Sequence, residues 1–281
     1  MIQRYKKIPH EERRFDLDLS RRAFLRRNRL TPLQSGQPDR EELISRIQRF
    51  EIFEHLPAAI LQTLASSARI GVFRAGEYLW HQDEPNQRVL FIERGLAKTS
   101  RLSPVGVNRT YGLYGPGDSM GIYAIWAGMK YPTDAVAMND GMTAIILDSL
   151  ALLKCAEKHP SMATPLMTEF SRFTESFIRK IEIVSAGTVS KRVAMLMLML
   201  AERYGKPTGD SGMHLPLNLT LAQIGEIVDA RIETVARLLS RWKLQGWLSV
   251  GDDGLHFNRM DKVKSLLPTS MTSKPNQSSH N

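Results

Sequence analysis

Residues 220–248 read TLAQIGEIVDARIETVARLLSRWKLQGWL, and this stretch predicts two consecutive helices. Thr220 and Gln223 have the spacing of a capping box, in which both side chains accept hydrogen bonds from exposed backbone amides, so the first helix begins there. The helical pattern breaks at Asp229 and Ala230. Apolar residues then recur at steps of three or four, at Val235, Leu238, Leu239 and Trp242. The stretch therefore predicts a second, amphipathic helix after a tight turn.

The outer face of the second helix is polar, with Glu233, Arg237 and Arg241 spaced four residues apart. Two short helices with this arrangement form a helix-turn-helix, whose second helix enters the major groove of DNA. Residues 247–257 predict a hairpin with Gly251-Asp252-Asp253-Gly254 at its tip, which corresponds to a wing. The alternative is that Glu233 and Arg237 form only an exposed helix-surface pair. The capped helix, turn, amphipathic helix and hairpin together favour a winged helix-turn-helix.

A β-rich region precedes this unit, between residues 71 and 150, and a short helix is expected before it at 41–53. The predicted strands are Tyr78 to Trp80, Val89 to Glu93, Thr110 to Tyr114 and Thr143 to Leu147. Turn signals separate them at Gly76-Glu77, Gly95, 104–106 and Gly115-Pro116-Gly117-Asp118. Short strands and turns at regular spacing predict a small antiparallel barrel or roll.

A long helix is predicted after Pro160. Its apolar residues form one stripe across more than six turns: Met162, Leu166, Phe170, Phe173, Phe177, Ile181 and Val184. The stripe could pack on the chain's own β-roll. Its narrow seam is typical of a two-stranded helix pair, so we favour dimerisation, with Leu166, Phe170, Phe173, Phe177 and Ile181 at the interface. The predicted fold class is α+β, with this helix joining a β-roll to a winged helix-turn-helix domain.

From about Phe50 to Leu267 the sequence resembles the Crp/Fnr family of bacterial transcription regulators. The resemblance rests on Leu219-Thr220, Gln223-Ile224-Gly225, Ile227-Val228, Glu233-Thr234-Val235, Arg237, Leu239 and Gly246-Trp247-Leu248, and on the turn glycines of a cyclic-nucleotide-binding-type β-roll. It implies a homodimer that binds an inverted repeat in double-stranded DNA and acts on RNA polymerase. It also implies that Glu233 and Arg237 reach base edges and that Thr220 or Thr234 reaches a phosphate.

The candidate DNA-binding residues are Thr220, Arg231, Ile232, Glu233, Thr234, Ala236, Arg237 and Arg241. Chemistry supports two of these roles, because an arginine can donate two hydrogen bonds to guanine and a carboxylate can accept from cytosine. The second helix resembles the oxygen-regulator branch more than the cyclic-AMP branch, which has an additional arginine where Ile232 stands. Asp229 stands in the turn where glycine is usual, and aspartate tolerates a left-handed conformation better than most residues.

The candidate effector pocket comprises Gly121, Ile122, Thr133 and Asp134. In the cyclic-AMP-binding members that the chain resembles, an acidic residue follows the cassette glycine and an Arg-Ser pair meets the phosphate. Here Ile122 stands at the acidic position and Thr133-Asp134 at the Arg-Ser position. An apolar side chain cannot accept from a ribose hydroxyl, and a carboxylate repels a phosphate. We therefore expect no cyclic AMP binding there, and the sequence leaves any small-molecule effector unidentified.

The chain has 281 residues and a formal net charge of +9, which suits a polyanionic partner such as nucleic acid or an anionic membrane surface. Residues 1–30 hold ten basic side chains against four acidic ones, and they predict either a DNA-contacting arm or a solvated tail. The expected organisation is a flexible basic extension at 1–45, a sensor roll at 46–155, a dimerisation helix at 156–186, a winged domain at 187–265 and a disordered tail at 266–281.

No cofactor, metal site or enzyme activity is predicted from these residues. Cys155 is the single cysteine, which excludes an iron–sulfur cluster of several thiolates and indicates a reducing cytoplasm. Haem on His55 or His81 is not expected, and His159 and His214 stand alone in the sequence. No apolar run is long enough to span a bilayer, and a twin-arginine-like match at 20–26 lacks the apolar segment that export requires. The alternative function is a signalling module, binding a small molecule or haem, whose winged helix contacts protein rather than DNA.

Overall fold

The computed structural model describes residues 38–103, 108–126 and 130–268. The predicted basic extension up to residue 37 and the tail from residue 269 lie outside this part of the chain. Among the described residues, no helix is both long and apolar enough to cross a membrane.

Three short helices precede the β-roll: α1 (Arg40–Gln48), α2 (Glu51–Glu54) and α3 (Ala58–Ser67). Asp39 caps α1, because its carboxylate accepts a hydrogen bond of 2.8 Å from the backbone N–H of Glu42. The single helix expected at 41–53 is thus divided near Phe50, which has an extended backbone. The division buries Phe50 and Phe53 together against Phe91 of the roll, with ring centroids 5.3 and 4.8 Å away.

The roll consists of two four-stranded antiparallel sheets with orders β1-β8-β3-β6 and β2-β7-β4-β5. Its strands are β1 (Arg69–Phe73), β2 (Tyr78–Trp80), β3 (Arg88–Arg94), β4 (Ala97–Leu102), β5 (Asn108–Tyr114), β6 (Ser119–Met120), β7 (Asp134–Ala137) and β8 (Met142–Asp148). Helix α4 (Ile122–Trp126) interrupts the roll between β6 and β7, and α5 (Ser149–Lys158) follows β8. All four predicted strands are present, each at its predicted position or extended by one or two residues at its ends.

Helix α6 (Ala163–Ser185) leaves the roll after a 3-10 turn at Pro160–Met162. It ends before Gly187, whose φ of 96° lets the chain reverse direction, and Thr188 caps α7 (Val189–Tyr204). The long helix lies in the place where the apolar stripe predicted it. Its N-terminal part packs on the roll, since Met162 and Leu166 join the core beneath α1 to α3.

The C-terminal domain combines a helix-turn-helix with a small sheet. Its elements are α7, β9 (Lys206–Thr208), β10 (Gly212–Leu215), α8 (Leu221–Ile227), α9 (Ile232–Leu244), β11 (Leu248–Gly251), β12 (Gly254–Phe257) and α10 (Met260–Lys264). The sheet order is β11-β12-β10-β9, so the predicted wing hairpin gains two strands that were not predicted. The core packs α7 against the helix-turn-helix through Val193, Ile224, Val235 and Trp242. The α+β fold class is confirmed.

Candidate nucleic-acid interface and sensor cavity

The first helix of the helix-turn-helix, α8, begins with the predicted capping box. Thr220 Oγ1 accepts from the N–H of Gln223 at 3.2 Å, and Gln223 Oε1 accepts from the N–H of Thr220 at 2.8 Å. The Gln223 amide also donates to the carbonyl of Met138 on the roll, at 3.0 Å. The Thr220 hydroxyl, a candidate phosphate contact, is therefore already part of the cap.

The turn between the helices closes tightly at Gly225. The backbone N–H of Ala230 donates to the Gly225 carbonyl at 2.9 Å, and a Cβ on Gly225 would lie 2.9 Å from the Ala230 carbonyl oxygen. Asp229 has a φ of 52°, so this aspartate adopts the left-handed conformation expected for the turn. Arg192 of α7 donates to the carbonyls of Val228 and Asp229 at 2.6 and 2.9 Å, which fixes the turn against the domain core.

The second helix, α9, separates its faces as the apolar spacing predicts. Val235, Leu239 and Trp242 are buried. The candidate DNA-binding residues on the opposite side are exposed: Arg231, Ile232, Glu233, Arg237 and Arg241. Thr234 and Ala236 are half-buried. Among the described residues neither Glu233 nor Arg237 forms an ion pair, so the exposed helix-surface pair considered from the sequence is absent there.

The β-roll encloses a cavity of about 180 Å³ beside α4 and α6. Trp80 stacks on Tyr131 with centroids 4.3 Å apart, and Tyr123 stacks on Phe173 of α6 at 4.1 Å. Tyr111, Tyr114 and Phe177 add further aromatic rings to the lining, together with Gly121, Ile122, Thr133 and the exposed Arg101. Burial raises the pKa of Tyr114 and of Tyr123 to about 12, so both phenols are neutral at physiological pH.

Three of the four predicted effector-pocket residues line this cavity, and Asp134 does not. Asp134 lies at the start of β7, where its carboxylate accepts from the N–H of Gln82 at 2.8 Å and approaches His81 Nδ1 at 3.5 Å. Ile122 is 2% exposed and belongs to the core. Gly121 has a φ of 87°, and a Cβ there would lie 3.1 Å from the Arg88 carbonyl oxygen. The cavity is thus lined by aromatic rings, most of which were not among the predicted site residues.

The apolar stripe of α6 divides between two environments. Leu166 is buried, and Phe173 stacks on Tyr123 and lies 5.0 Å from Phe177, so these residues contact their own chain. Phe170 and Phe177 are half-buried. The exposed apolar side chains of α6 are Met167, Ile178 and Ile181, at 65%, 51% and 59%. Of the five predicted interface residues, Ile181 is exposed and the other four are buried or half-buried.

Ion pairs join the β-roll to the helix-turn-helix. Lys98 of β4 pairs with Glu226 of α8, and Arg109 of β5 pairs with Asp229 in the turn at 2.8 Å. Lys180 of α6 donates to the carbonyl of Ile227. The first helix and the turn of the helix-turn-helix are therefore held by the β-roll and by α6.

The residues considered for redox or haem chemistry lie apart from the cavity lining. Cys155 is buried, and burial raises the pKa of its thiol. His81 stacks on Tyr78 with centroids 4.2 Å apart, and His55 is exposed at the end of α2. A raised thiol pKa disfavours the reactive thiolate, which is consistent with an inert thiol.

The structure also assembles a cluster that sequence reasoning missed. His214 of β10 lies opposite His256 of β12, and Asp253 of the wing tip contacts both rings. In the sequence, His214 stands alone. The pairing of β10 with β12 brings the two histidines together. They are 42 positions apart in the chain, so no local sequence pattern indicates their contact.

Comparison with known proteins agrees with this architecture. Residues 71–159 match the family model of the cyclic nucleotide-binding domain, and residues 191–266 match that of the Crp-like helix-turn-helix domain. Among solved structures, FixK2 from Bradyrhizobium japonicum has a TM-score of 0.61 and 22% identity, over 72% of this chain and 98% of that chain.

Two curated relatives represent the two branches that the sequence analysis compared. The CRP-like cAMP-activated global transcriptional regulator of Mycobacterium tuberculosis is 24% identical, over 72% of this chain and 89% of its own length. The regulatory protein HlyX of Actinobacillus pleuropneumoniae is 28% identical, over 68% and 76%. These matches, together with the two domain models in their order along the chain, show that the protein belongs to the Crp/Fnr family of DNA-binding transcription regulators, which are not enzymes.

Proposed function

We propose that this regulator binds an inverted-repeat DNA site as a homodimer, reads base edges through Glu233 and Arg237, and responds to a small aromatic or apolar effector rather than to cyclic AMP. The observation that carries the DNA-reading role is the outer face of α9, where Glu233 and Arg237 are exposed and form no ion pair with other described residues. RNA polymerase is the proposed protein partner on DNA.

The chemistry of α9 predicts a defined half-site. The Arg237 guanidinium can donate to O6 and N7 of a guanine, the Glu233 carboxylate can accept from a cytosine amino group, and Ile232 can contact a thymine methyl. We therefore propose a TGA-like core. Ile232, at the position of an additional arginine in the cyclic-AMP branch, supports the proposal that the regulator is nearer the Fnr-like branch. In a two-fold dimer the half-site centres lie about 34–36 Å apart, so that both recognition helices meet one face of the duplex.

Binding-site selection from random duplexes tests the reading role, with wild type, Arg237→Ala and Lys243→Ala in parallel. Lys243 is exposed on the same helix, and its replacement removes the same charge. Arg237→Ala should lose the preference for guanine at one position of each half-site, at about 1–3 kcal/mol per half-site. Lys243→Ala should retain the selected sequence. If wild type selects no inverted repeat, the winged helix contacts protein instead.

The exposed apolar side chains of α6 support the homodimer. Met167, Ile178 and Ile181 lie on one long helix, and a two-stranded pairing of α6 would remove them from water. Ile178→Glu with Ile181→Glu should give monomers in sedimentation velocity. Leu150→Glu, which changes an apolar side chain 55% exposed on α5, should leave the dimer intact. A tight dimer of the double variant would place the interface elsewhere.

The cavity supports the choice of effector class. Its lining is aromatic, and Arg101 is its single side chain charged at neutral pH among the described residues. The Mycobacterium relative is described as cAMP-activated, but here Ile122 is a core residue and the Asp134 carboxylate is held by Gln82, so neither supplies a ribose acceptor or a phosphate cation.

Calorimetric titration with cyclic AMP should therefore give no binding at micromolar concentration, whereas native mass spectrometry of the purified protein should detect a small apolar or aromatic ligand. Micromolar binding of cyclic AMP would contradict the proposed effector class and leave the DNA-reading role unaffected.

A further inference from the structure

We propose that His214, Asp253 and His256 form a binding site for a Zn²⁺-like divalent transition-metal ion on the winged domain. The three residues come from β10, from the two-residue turn at the wing tip and from β12. Strand pairing places His214 directly opposite His256, and their rings stack with centroids 4.4 Å apart at an interplanar angle of 7°. The site is independent of both the DNA-reading face and the sensor cavity.

The ligand atoms converge as a metal ion requires. His214 Nε2 lies 3.3 Å from Asp253 Oδ2, and His256 Nε2 lies 2.8 Å from Asp253 Oδ1. One ligand atom from each residue lies within 4.8 Å of the other two. Bonds of about 2.0–2.1 Å in a tetrahedral arrangement separate the ligand atoms of a zinc ion by about 3.3 Å, so small side-chain rotations suffice.

The donor set also fits. Two imidazole nitrogens and one carboxylate oxygen suit Zn²⁺ and related ions, and an ion with three protein ligands keeps a fourth position for water. The site is reachable from solvent, because the Asp253 side chain is 63% exposed while His214 and His256 are 18% and 35% exposed.

The surrounding residues leave space around the ligand atoms and hold the wing tip in place. A Cβ on Gly251 would lie 2.7 Å from Asp253 Oδ1 and 3.3 Å from His256 Nε2, so any side chain at this position would crowd the ligand atoms. The Asn218 amide donates to the Asp252 carbonyl at 3.0 Å and holds the wing tip over β10. A bound ion would tie the tip and two strands together, which we expect to stiffen the wing.

The alternative occupant is a proton, with a protonated histidine hydrogen-bonded to Asp253. Asp253→Asn separates the two, because an asparagine carbonyl still accepts a hydrogen bond but is a poor ligand for Zn²⁺. The test is calorimetric titration of the full chain with Zn²⁺, with Mg²⁺ as the control ion, followed by Co²⁺ titration monitored by its visible absorption.

We expect wild type to bind one Zn²⁺ per chain, to bind Co²⁺ with the absorption of a tetrahedral site, and to show no response to Mg²⁺. His214→Asn, His256→Asn and Asp253→Asn should each weaken Zn²⁺ binding by about 100-fold. His55→Asn, which replaces an exposed histidine outside the site, should bind as wild type does. Thermal unfolding shows whether each variant is folded. Added Zn²⁺ should raise the Tm of wild type and of His55→Asn, and should leave the Tm of the three site variants unchanged.

Zn²⁺ binding that is unchanged in the three site variants, or no Zn²⁺ binding by folded wild type, would overturn the proposal. Equal weakening in His55→Asn would do the same, because it would show binding spread over surface histidines. Loss in the histidine variants with full retention in Asp253→Asn would reduce the site to a two-histidine contact and contradict the three-ligand arrangement.

Discussion

The recognition helix and the sensor cavity of this regulator are built in opposite ways. The proposed DNA-reading face comes from one helix, α9, and exposes charged side chains to solvent. The cavity is assembled from β2, β4, β5, β6, α4 and α6, and aromatic rings line it. A single helix can preserve base-reading chemistry with only a few residues. A cavity drawn from distant segments depends on how those segments pack against one another.

The largest expected effect concerns the support beneath the recognition helix. Trp242 is 2% exposed in the core of the winged domain, so Trp242→Ala should reduce the free energy of unfolding of that domain by about 3–5 kcal/mol. Leu244→Ala, at a side chain 90% exposed on the same helix, should change it by less than about 0.5 kcal/mol. Urea unfolding followed by tryptophan fluorescence and circular dichroism measures both. Equal effects would show that α9 is not held by this core.

An intermediate effect is expected at the ion pair between β4 of the roll and α8 of the helix-turn-helix. The Lys98 side chain is 10% exposed and its partner Glu226 is 31% exposed, so removing Glu226 leaves a buried ammonium without its carboxylate. Glu226→Gln should cost about 1–3 kcal/mol. Lys98→Met should cost less, because the remaining carboxylate reaches water and the methionine packs in the roll.

Glu175→Gln serves as a matched control for this pair, since Glu175 and Arg179 form an exposed pair on α6 that is worth about 0.2–1 kcal/mol. Thermal unfolding of the three variants gives the ranking. A greater loss for Lys98→Met than for Glu226→Gln would contradict the asymmetry of burial.

The smallest effect is a pH dependence at Glu169 of α6. Burial raises the pKa of this carboxyl, while hydrogen bonds from Ser119 and Arg172 oppose the rise. Because the folded-state pKa lies above the unfolded one, the contribution of Glu169 to stability is greatest below the usual glutamate pKa of about 4.3 and is lost as pH rises through the folded-state pKa. The stability of Glu169→Gln relative to wild type should therefore increase from pH 4 to pH 8 in urea unfolding. A stability difference between the two proteins that stays constant from pH 4 to pH 8 would contradict this prediction.

The sequence predicted the elements whose signals are local. The capping box at Thr220, the exposed face around Arg237 and four of the eight strands of the roll follow from spacings within one helix or strand. The predictions were incomplete where distant segments meet. Strands β1, β4, β6, β7, β9 and β10 were not predicted. The stacking of Tyr123 on Phe173 and the contact between His214 and His256 were not predicted either. These contacts depend on tertiary topology, which no short-range periodicity encodes.

A small tilt of α6 at Phe173 becomes a larger displacement at the far end of the helix. This ring forms part of the cavity wall, and the same continuous helix runs on for twelve more residues to Ser185. At 1.5 Å of rise per residue, that arm is about 18 Å long. A tilt of about 5° at Phe173 therefore moves the far end of the helix by about 1.6 Å, at the reversal before Thr188 that leads into the winged domain. If the proposed effector displaces this ring, the start of the winged domain would therefore move by a distance comparable to a bond length.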